Sequence, residues 1–202
     1  KINISYPSDD GYINDITNIW LDDEYGLKKI KKVNNIVDIG SNIGIFALWA
    51  WHNFPDSNIY CYEPNERIIE YTQSNLSPTG ANIFNVAVGR NSGHGTIVDD
   101  GPSRLASAKL TSNGGEVTFW SLDQIVEKAG GSIDLLKIDC EGAEWDILSS
   151  EGIRTVRKIR MEYHLTEDKS VNDFLSLVKQ SGFEVSKLDQ HVGHGIAWLD
   201  RI

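Results

Sequence analysis

The sequence predicts an α/β protein whose core is a doubly wound, mostly parallel β-sheet. Short apolar runs rich in β-branched residues alternate along the chain with segments of helical periodicity, and this alternation is typical of βαβ units. The first such run ends in a glycine, as a buried parallel strand does where it turns into a helix. The length of 202 residues corresponds to roughly one domain. We therefore expect a single domain over 1–202, with a covering segment over 1–34 and the α/β core over 35–202.

The elements of the first half follow from composition and from the spacing of apolar residues. The opening segment is polar with scattered aromatic residues, and we interpret it as a strand and a short helix that cover the core. After the first strand, Ile43, Phe46, Ala47 and Ala50 share one face of a helix, and Pro64 stops the second strand. In chain order we predict a strand over 36–40, a helix over 43–51, a strand over 58–63, a helix over 66–76 and a strand over 82–88.

The second half opens with a stretch rich in Gly, Ser and Asn, which indicates loops and a hairpin over 89–113. Residues 133–139 are the strongest candidate for a buried strand, and Gly182 ends an amphipathic helix. We predict further strands over 116–120 and 159–163, helices over 122–129, from 143 and over 171–181, and a terminal antiparallel pair over 183–188 and 196–199.

Charge and composition exclude several classes of protein. Lys and Arg number 19 and Asp and Glu number 29, so the formal net charge is −10, whereas a protein that tracks phosphates needs a basic face. No run of about 18 apolar residues could span a membrane. Two cysteines, Cys61 and Cys140, are too few for a disulfide framework or a cysteine zinc site. We expect no nucleic-acid partner, no membrane, and a reducing, cytoplasmic compartment.

The turn after the first strand suits an electron-rich ligand that also carries a cationic group. Gly40 permits a tight turn and a close approach to the backbone, and Gly44 lets the next helix pack against the strand. Free N–H groups at the helix start favour electron-rich atoms. Asn42 takes the middle glycine position of the dinucleotide fingerprint, which leaves less room for a pyrophosphate. Asp38 precedes the first glycine, where its carboxylate suits the ammonium of an amino acid.

Glu63 stands at the end of the second strand, where a carboxylate can accept both hydroxyls of a ribose. Gly40 and Gly44 alone would also fit an ordinary turn between a strand and a helix. With Asp38 and Glu63 in register, the pattern favours a ligand in which a nucleoside is joined to an amino acid.

The run LLKIDCEGAE at 135–144 places four ionisable groups around the end of one strand. In a sheet ordered 3-2-1-4-5 this end lies beside that of the first strand. With this run the chain resembles the FkbM-type family of S-adenosylmethionine-dependent methyltransferases, and the pattern K-x-D-x-E-G-x-E at 137–144 is the most specific part of the resemblance. Further matching pieces are VDIGSNIG at 37–44, YEPN at 62–65, NVAVG at 85–89, SLD at 121–123 and MEYH at 161–164.

The resemblance covers about 35–183 and implies a Rossmann-like class I methyltransferase fold, with a seven-stranded, mostly parallel sheet and an antiparallel last strand. It implies S-adenosyl-L-methionine as the donor, S-adenosyl-L-homocysteine as the product, and a hydroxyl of a sugar, glycan or secondary metabolite as the small-molecule acceptor. Holding that hydroxyl in line with the donor can supply about 7–11 kcal/mol of the barrier. A base that takes its proton contributes about 10²–10⁴-fold.

The expected site residues follow the strand ends. Ala87 and Val88 are expected beside the adenine. The cofactor-binding candidates are Asp38, Gly40, Ser41, Asn42, Gly44, Glu63, Pro64, Ala87, Val88 and Asp139.

The catalytic candidates are Asp139, Glu162, His164 and Lys137. His164 is attractive because an imidazole titrates near working pH, and Asp139 is attractive by its place at the switch point of the sheet. Lys137 fits an ion pair that orients Asp139 or Glu162. Together with Glu141, the groups Asp139, Glu162 and His164 could hold Mg²⁺ or Mn²⁺. No close-spaced histidine motif supports a metal, however, and we expect none.

Other interpretations remain open at this stage. A nicotinamide-dependent oxidoreductase is disfavoured by Asn42 and by the position of Asp38. A binding module that has lost catalysis is disfavoured, but not excluded, by the intact acidic residues. Arg104 is a candidate acceptor-binding residue in a loop, and His191 and His194 are expected in an exposed turn. The identity of the acceptor and the oligomeric state do not follow from the sequence.

Overall fold

The computed structural model describes residues 3–8, 11–98, 107–110 and 114–202. Arg104 and the tip of the predicted hairpin lie outside these residues. In chain order, the described helices and strands are α1 (Tyr12–Ile16), a π-helical turn (Thr17–Leu21), a 3₁₀ turn (Leu27–Lys29), β1 (Asn35–Ile39), α2 (Ile45–Asn53), β2 (Asn58–Tyr62), α3 (Glu66–Leu76), β3 (Asn82–Phe84), β4 (Ala87–Gly89), β5 (Gly93–Val98), β6 (Ser107–Leu110), β7 (Val117–Ser121), α4 (Leu122–Lys128), β8 (Ile133–Ile138), α5 (Glu144–Leu148), a 3₁₀ turn (Glu151–Thr155), β9 (Val156–His164), α6 (Val171–Gln180), β10 (Phe183–Gln190) and β11 (His194–Arg201).

The main sheet has seven strands in the order β10-β11-β9-β8-β1-β2-β3. β1 pairs in parallel with β2 on one side and β8 on the other, and β9 pairs in parallel with β8. β11 is antiparallel to both of its neighbours, β9 and β10. The predicted doubly wound α/β fold, with its mostly parallel sheet and antiparallel last strand, is therefore confirmed. The order also places the ends of β1 and β8 side by side, where ligands bind in such sheets.

The centre of the sheet is apolar on both faces, as a parallel sheet covered by helices requires. Val37 and Ile39 of β1 and Leu136 and Ile138 of β8 lie in one buried cluster with residues of α4 and α6. Ile36 faces the other side, against α2. Each such side chain contributes about 1.5–3 kcal/mol when fully buried, so the strand ends that carry the polar residues are fixed by the most stable part of the molecule.

The single strand predicted over 82–88 is wrong, because this segment forms two short strands in different sheets. β3 pairs with β2 in the main sheet, whereas β4 pairs with β7 in a second sheet of order β4-β7-β5-β6. Between them the Asn85 side chain donates to the carbonyl of Glu63 at 2.9 Å, and the chain changes sheets there. The predicted hairpin is present as the antiparallel pair β5 and β6.

The opening segment holds no strand within 3–8 and 11–30, so that part of the prediction is wrong. Its helical turns pack on α2 and β11. The Trp20 indole N–H donates to the carbonyl of Ile45 at 3.2 Å, and the Trp198 indole N–H donates to the carbonyl of Glu24 at 2.8 Å. These side-chain contacts, which no local periodicity in the sequence predicts, hold the segment against α2 and β11.

Most predicted helices form within two residues of the expected bounds. α2 begins at Ile45, because Asn42 and Gly44 just before it have φ of +49° and +86° and lie outside the helical region. α4 begins with a capping box between Ser121 and Gln124. In the described part of the chain, no helix is long and apolar enough to cross a membrane.

Candidate functional site

A cleft opens where the carboxyl ends of β1, β2 and β8 meet. It encloses about 650 Å³ of empty space, including the part that is open to solvent. We call it the first cleft. The cofactor-binding candidates that line it are Gly40, Asn42, Glu63, Pro64, Ala87, Val88 and Asp139. Residues from four segments of the chain thus meet at the switch point, as the sequence predicts.

The turn after β1 is tight and closely packed. The N–H groups of Gly40 and Ser41 both donate to the carbonyl of Tyr62, at 3.0 and 3.1 Å. Gly40 has φ of +72°, and a Cβ at this position would lie 1.7 Å from the carbonyl oxygen of Asp139. Only glycine lets the backbones of β1 and β8 approach so closely at this φ.

Two non-glycine residues at the first cleft have left-handed backbone conformations. Asn42 has φ of +49° and Glu141 has φ of +54°, and both line the cleft. Such conformations cost energy and concentrate at ligand sites. They indicate that the loops after β1 and β8 are shaped for binding.

Glu63 is 7% exposed and is held by two backbone groups. Its carboxylate accepts hydrogen bonds from the N–H of Asn42 at 2.9 Å and of Asn65 at 2.8 Å. Burial raises the pKa of Glu63 to about 7, although these two hydrogen bonds lower it. A carboxylate so placed can accept further hydrogen bonds from hydroxyl groups of a ligand.

A side pocket of about 340 Å³ adjoins the first cleft and shares Asn42 and Asp139 with it. Two buried hydroxyls have no hydrogen-bond partner within the described residues: that of Tyr62, which lines the first cleft, and that of Ser41, which lines the side pocket. Buried polar groups are rarely left without a partner. Two adjoining cavities, each with a hydroxyl that has no partner among the described residues, fit a ligand in which a nucleoside is joined to an amino acid.

Asp38 and Gly44 line neither of these cavities. Asp38 is fully buried, and its cation is Lys137, whose Nζ lies 3.3 Å from Oδ1. In the structure the carboxylate of Asp38 therefore faces Lys137, and its expected contact with a ligand ammonium stays a prediction. Gly44 faces Leu76 of α3, which a Cβ would approach to 2.9 Å, in line with its expected packing role.

Lys137 holds the turn and two carboxylates together. Its Nζ donates to the carbonyl of Gly40 at 2.7 Å and lies 3.3 Å from both Asp38 Oδ1 and Asp139 Oδ2. Burial acts to lower the pKa of Lys137, but the carboxylates of Asp139 and Asp38 raise it above its usual value. Lys137 stays charged and orients Asp139, while no ion pair joins it to Glu162 within the described residues.

A second cleft of about 1030 Å³ lies on the other side of Asp139. It shares Asp139 and Glu141 with the first cleft. Its walls come from the opening segment, the ends of β8 and β9, and the turn before β11. The ionisable residues on these walls are Asp15, Glu24, Asp139, Glu141, Glu162, His164, His191 and His194.

His164 is surrounded by glutamates. Its Nδ1 lies 3.1 Å from Oε1 of the buried Glu144, and its Nε2 lies 3.4 Å from Glu141 Oε2 and 3.8 Å from Glu162 Oε1. The hydrogen bond with Glu144 is the main reason why the pKa of His164 rises to about 9. At neutral pH the imidazole already carries its second proton, so His164 is a poor candidate for the base.

Glu162 is better suited than His164 to accept a proton near neutral pH. Burial raises its pKa to about 7, repulsion from Asp139 adds to the rise, and the positive charge of His164 opposes it. A carboxyl group with this pKa exchanges a proton readily near neutral pH. Of the catalytic candidates, Glu162 combines exposure to the second cleft with a pKa suited to a base.

Several residues of the second cleft come from parts of the chain where the sequence predicts no site. Glu24 and Tyr25 belong to the opening segment, which carries no motif, and reach the cleft only through tertiary packing. His194, expected in an exposed turn, lies with Nε2 3.8 Å from Glu162 Oε1. Among the residues that the structure describes, no group of three or more His, Cys, Asp or Glu residues has the arrangement of a metal site.

The sequence profile of the methyltransferase FkbM domain matches residues 38–190 of this chain. Among curated proteins, the AMB antimetabolite synthetase AmbE of Pseudomonas aeruginosa is 26% identical over 75% of this chain and 10% of its own length. Methyltransferase 1 of Beauveria bassiana is 27% identical over 64% of this chain and 63% of its own length. The chain thus spans less than two thirds of either relative.

Solved structures share the fold at low sequence identity. Precorrin-6y C5,15-methyltransferase from Geobacter metallireducens superposes with a TM-score of 0.55 at 12% identity, covering 87% of this chain and 84% of that one. Magnesium protoporphyrin IX methyltransferase from Synechocystis, solved with bound S-adenosylmethionine, gives 0.52 at 13% identity over 95% and 80%. TrmK of M. capricolum, in complex with S-adenosylhomocysteine, gives 0.55 at 10% identity over 90% and 68%.

Proposed function

The chain belongs to the FkbM methyltransferase family, a family of S-adenosylmethionine-dependent enzymes, and from this premise we propose that it methylates a hydroxyl oxygen of a sugar or secondary metabolite. The observation that carries this proposal is the contact between the two clefts. The residues of the first cleft suit the cofactor, the second cleft lies beside it, and both are lined by Asp139 and Glu141.

The residues around the first cleft fit S-adenosylmethionine by their chemistry. Glu63 offers a buried carboxylate to the ribose hydroxyls, and the apolar side chains of Ala87 and Val88 suit the adenine. The side pocket, with the open hydroxyl of Ser41, suits the amino-acid end. When bound, S-adenosylmethionine supplies an electrophilic methyl group on a sulfonium.

The second cleft supports oxygen as the acceptor atom. A hydroxyl needs a base when its oxygen accepts a methyl group, and such a base contributes about 10²–10⁴-fold. Glu162 lies in this cleft with a pKa of about 7. We assign Glu162 as the base, with His164 as the cation that keeps it oriented and partly ionised. Asp139, held by Lys137, positions the acceptor between the two clefts.

The proposal is tested with methyl-labelled S-adenosylmethionine and a panel of monosaccharides and small hydroxylated compounds. For each acceptor, a matched analogue lacks one hydroxyl. We expect the label to appear as a methoxy group and to disappear with the analogue. A label on nitrogen or carbon would overturn the assignment to oxygen. Binding of S-adenosylhomocysteine without transfer to any acceptor would favour the catalytically silent module.

The role of Glu162 is tested by Glu162→Gln. We expect kcat to fall about 10²–10³-fold and the rise of the rate around pH 7 to vanish, while the affinity for S-adenosylhomocysteine stays unchanged. Glu184→Gln on β10, exposed and outside both clefts, is the matched control. A pH profile of Glu162→Gln that still rises around pH 7 would assign the base to another residue.

A further inference from the structure

Tyr25 brings the opening segment into the site. It precedes the residues that match the family, is 2% exposed and lines the second cleft. Its ring packs edge-on against Phe46 of α2, with 5.3 Å between ring centroids. The phenol is therefore held by the core and presents its hydroxyl at the junction of the two clefts.

The hydroxyl of Tyr25 meets one particular oxygen of Asp139. Tyr25 Oη lies 3.4 Å from Asp139 Oδ2, and Lys137 Nζ lies 3.3 Å from the same oxygen. Oδ1 of Asp139 has neither a hydrogen bond nor an ion pair with any described residue, and the side chain is 28% exposed. Two donors from opposite ends of the sequence thus fix Oδ2 and leave Oδ1 for a ligand.

We propose that Tyr25 is a positioning residue for methyl transfer, which fixes Asp139 through Oδ2 so that Oδ1 receives the acceptor hydroxyl. This inference rests on the proposed function, because it assigns a role in placing the acceptor. Only Oδ1, without a partner, is then free to accept a hydrogen bond from the acceptor.

Two further observations support a fixed position for Tyr25. The carbonyl of its neighbour Glu24 accepts from the indole of Trp198, and Asp23 accepts from the N–H of Leu27 and the indole of Trp49, at 3.0 and 3.1 Å. Burial and the nearby carboxylate of Asp139 raise the pKa of Tyr25 above its usual value, so its hydroxyl keeps its proton and donates. At 3.4 Å the bond is longer than the usual O–H···O distance, and such bonds shorten when a substrate binds.

The experiment is a double-mutant cycle between Tyr25→Phe and Asp139→Asn. Phenylalanine keeps the packing on Phe46 and removes only the hydroxyl. We expect kcat for a hydroxyl acceptor to fall about tenfold in Tyr25→Phe, as for loss of a hydrogen bond to a charged group, with the affinity for S-adenosylhomocysteine unchanged. In the Asp139→Asn background the same change should have no further effect, since Tyr25 acts through Asp139.

Tyr60→Phe is the matched control, because Tyr60 makes no hydrogen bond with a described residue and lies outside both clefts. An unchanged kcat in Tyr25→Phe, or fully additive losses in the double mutant, would overturn the proposal. A purely structural role would lower the melting temperature of Tyr25→Phe together with its kcat. A fall in kcat that is explained by unfolding of the variant would therefore also overturn the proposal.

A second readout does not depend on the acceptor. Crystal structures of the wild type and Tyr25→Phe, both with S-adenosylhomocysteine, should show the Asp139 carboxylate turned or in two orientations in the variant. An identical carboxylate would reject the positioning role. If the wild type methylates no hydroxyl but Asp139 still turns in Tyr25→Phe, the proposed function fails while the contact is confirmed.

Discussion

Two buried glutamates define the site at the scale of single residues. Glu63 and Glu162 each have a pKa of about 7, and burial is the main cause for both. Their surroundings differ, since Glu63 accepts hydrogen bonds from backbone N–H groups, whereas Glu162 faces other carboxylates and His164. Under the proposed function, the same pKa serves two tasks, one in binding the cofactor and one in moving a proton.

We expect S-adenosylhomocysteine to bind more tightly as the pH rises toward 7. Ribose hydroxyls donate to a carboxylate, so the ligand binds the ionised form of Glu63, whose pKa is about 7. Below that pH each unit should weaken binding about tenfold, because a proton must leave first, and above it the affinity should level off. Titration calorimetry from about pH 5.5 to about pH 8.5 measures this dependence.

Glu63→Gln should bind weakly and without this pH dependence. Glu162→Gln is the matched control, since Glu162 has a similar pKa but lies in the second cleft. It should keep the full dependence. If the dependence vanished in Glu162→Gln and persisted in Glu63→Gln, the roles of the two carboxyl groups would be reversed.

At the scale of elements, the turn between β1 and α2 determines the first cleft. Its conformation depends on backbone groups more than on side chains: Gly40 lies against the backbone of Asp139, and Lys137 holds the Gly40 carbonyl. The turn, the end of β8 and the first cleft are therefore in direct contact with one another.

Gly40→Ala should therefore cost far more than an alanine at another left-handed glycine. We expect a loss of about 3 kcal/mol or more in unfolding free energy and loss of S-adenosylhomocysteine binding, because the new Cβ would meet the Asp139 carbonyl at 1.7 Å. Gly130→Ala, with φ of +84° and open space around it, should lose only about 1–2 kcal/mol from the backbone conformation. Urea unfolding measures both, and equal losses would mean that the close approach is unimportant.

The sequence predicts elements well where the signal is local. The apolar runs of β1 and β8 lie within the strands themselves, and Gly182 comes just after the C-cap of α6, the helix that it is expected to end. The split between β3 and β4 could not be predicted, because Ala87 and Val88 suit either sheet and pair with Phe119 and Trp120 of β7 only by tertiary arrangement.

The same distinction applies to the site. Glu63, Asp139 and Glu162 stand at or near strand ends, where topology alone brings them together. Tyr25 and Glu24 come from a segment without periodicity or motif, so only packing on α2 and β11 places them. The basicity of His164 depends on Glu144 and Glu141, whose distances from the imidazole do not follow from their spacing in the chain.

At the scale of the whole molecule, negative charge is in excess, and five carboxyl groups of the described residues line the second cleft. The formal net charge is −10, and the pKa of Glu24, Glu141 and Glu162 is raised by burial and by repulsion from Asp139. Ionising these buried carboxyl groups lowers the free energy of unfolding. The protein without a ligand is therefore less stable because of the groups that line this cleft.

We expect the unfolding free energy to fall steadily from about pH 5 to about pH 9. Glu63 and Glu162, with folded pKa values of about 7, add stability that is complete below the unfolded value near 4.5 and is lost as the pH rises through 7. His164 adds stability that is complete below 6.5 and is lost as the pH rises through about 9. Urea unfolding at about pH 5, 7 and 9 measures the slope.

His164→Gln should remove the contribution that His164 makes to the fall between about pH 7 and about pH 9. It should also move the contribution of Glu162 to higher pH, because it removes a positive charge that lowers the pKa of Glu162. His52→Gln, on α2 and outside both clefts, should leave the fall as it is in the wild type. A protein whose stability instead peaks near pH 8 would contradict the assigned pKa shifts.

The hydrogen bond from Trp198 to Glu24 joins residues 174 positions apart, so one wall of the second cleft depends on a contact of very long range in the sequence. Contacts of such range close a long loop and carry the largest entropy cost, about (3/2)RT ln n. The first cleft is formed by neighbouring strands of the sheet and the turns that follow them, whereas the wall that holds Tyr25 also needs a contact with β11. The second cleft therefore depends on contacts between segments far apart in the sequence, and the first cleft depends on them less.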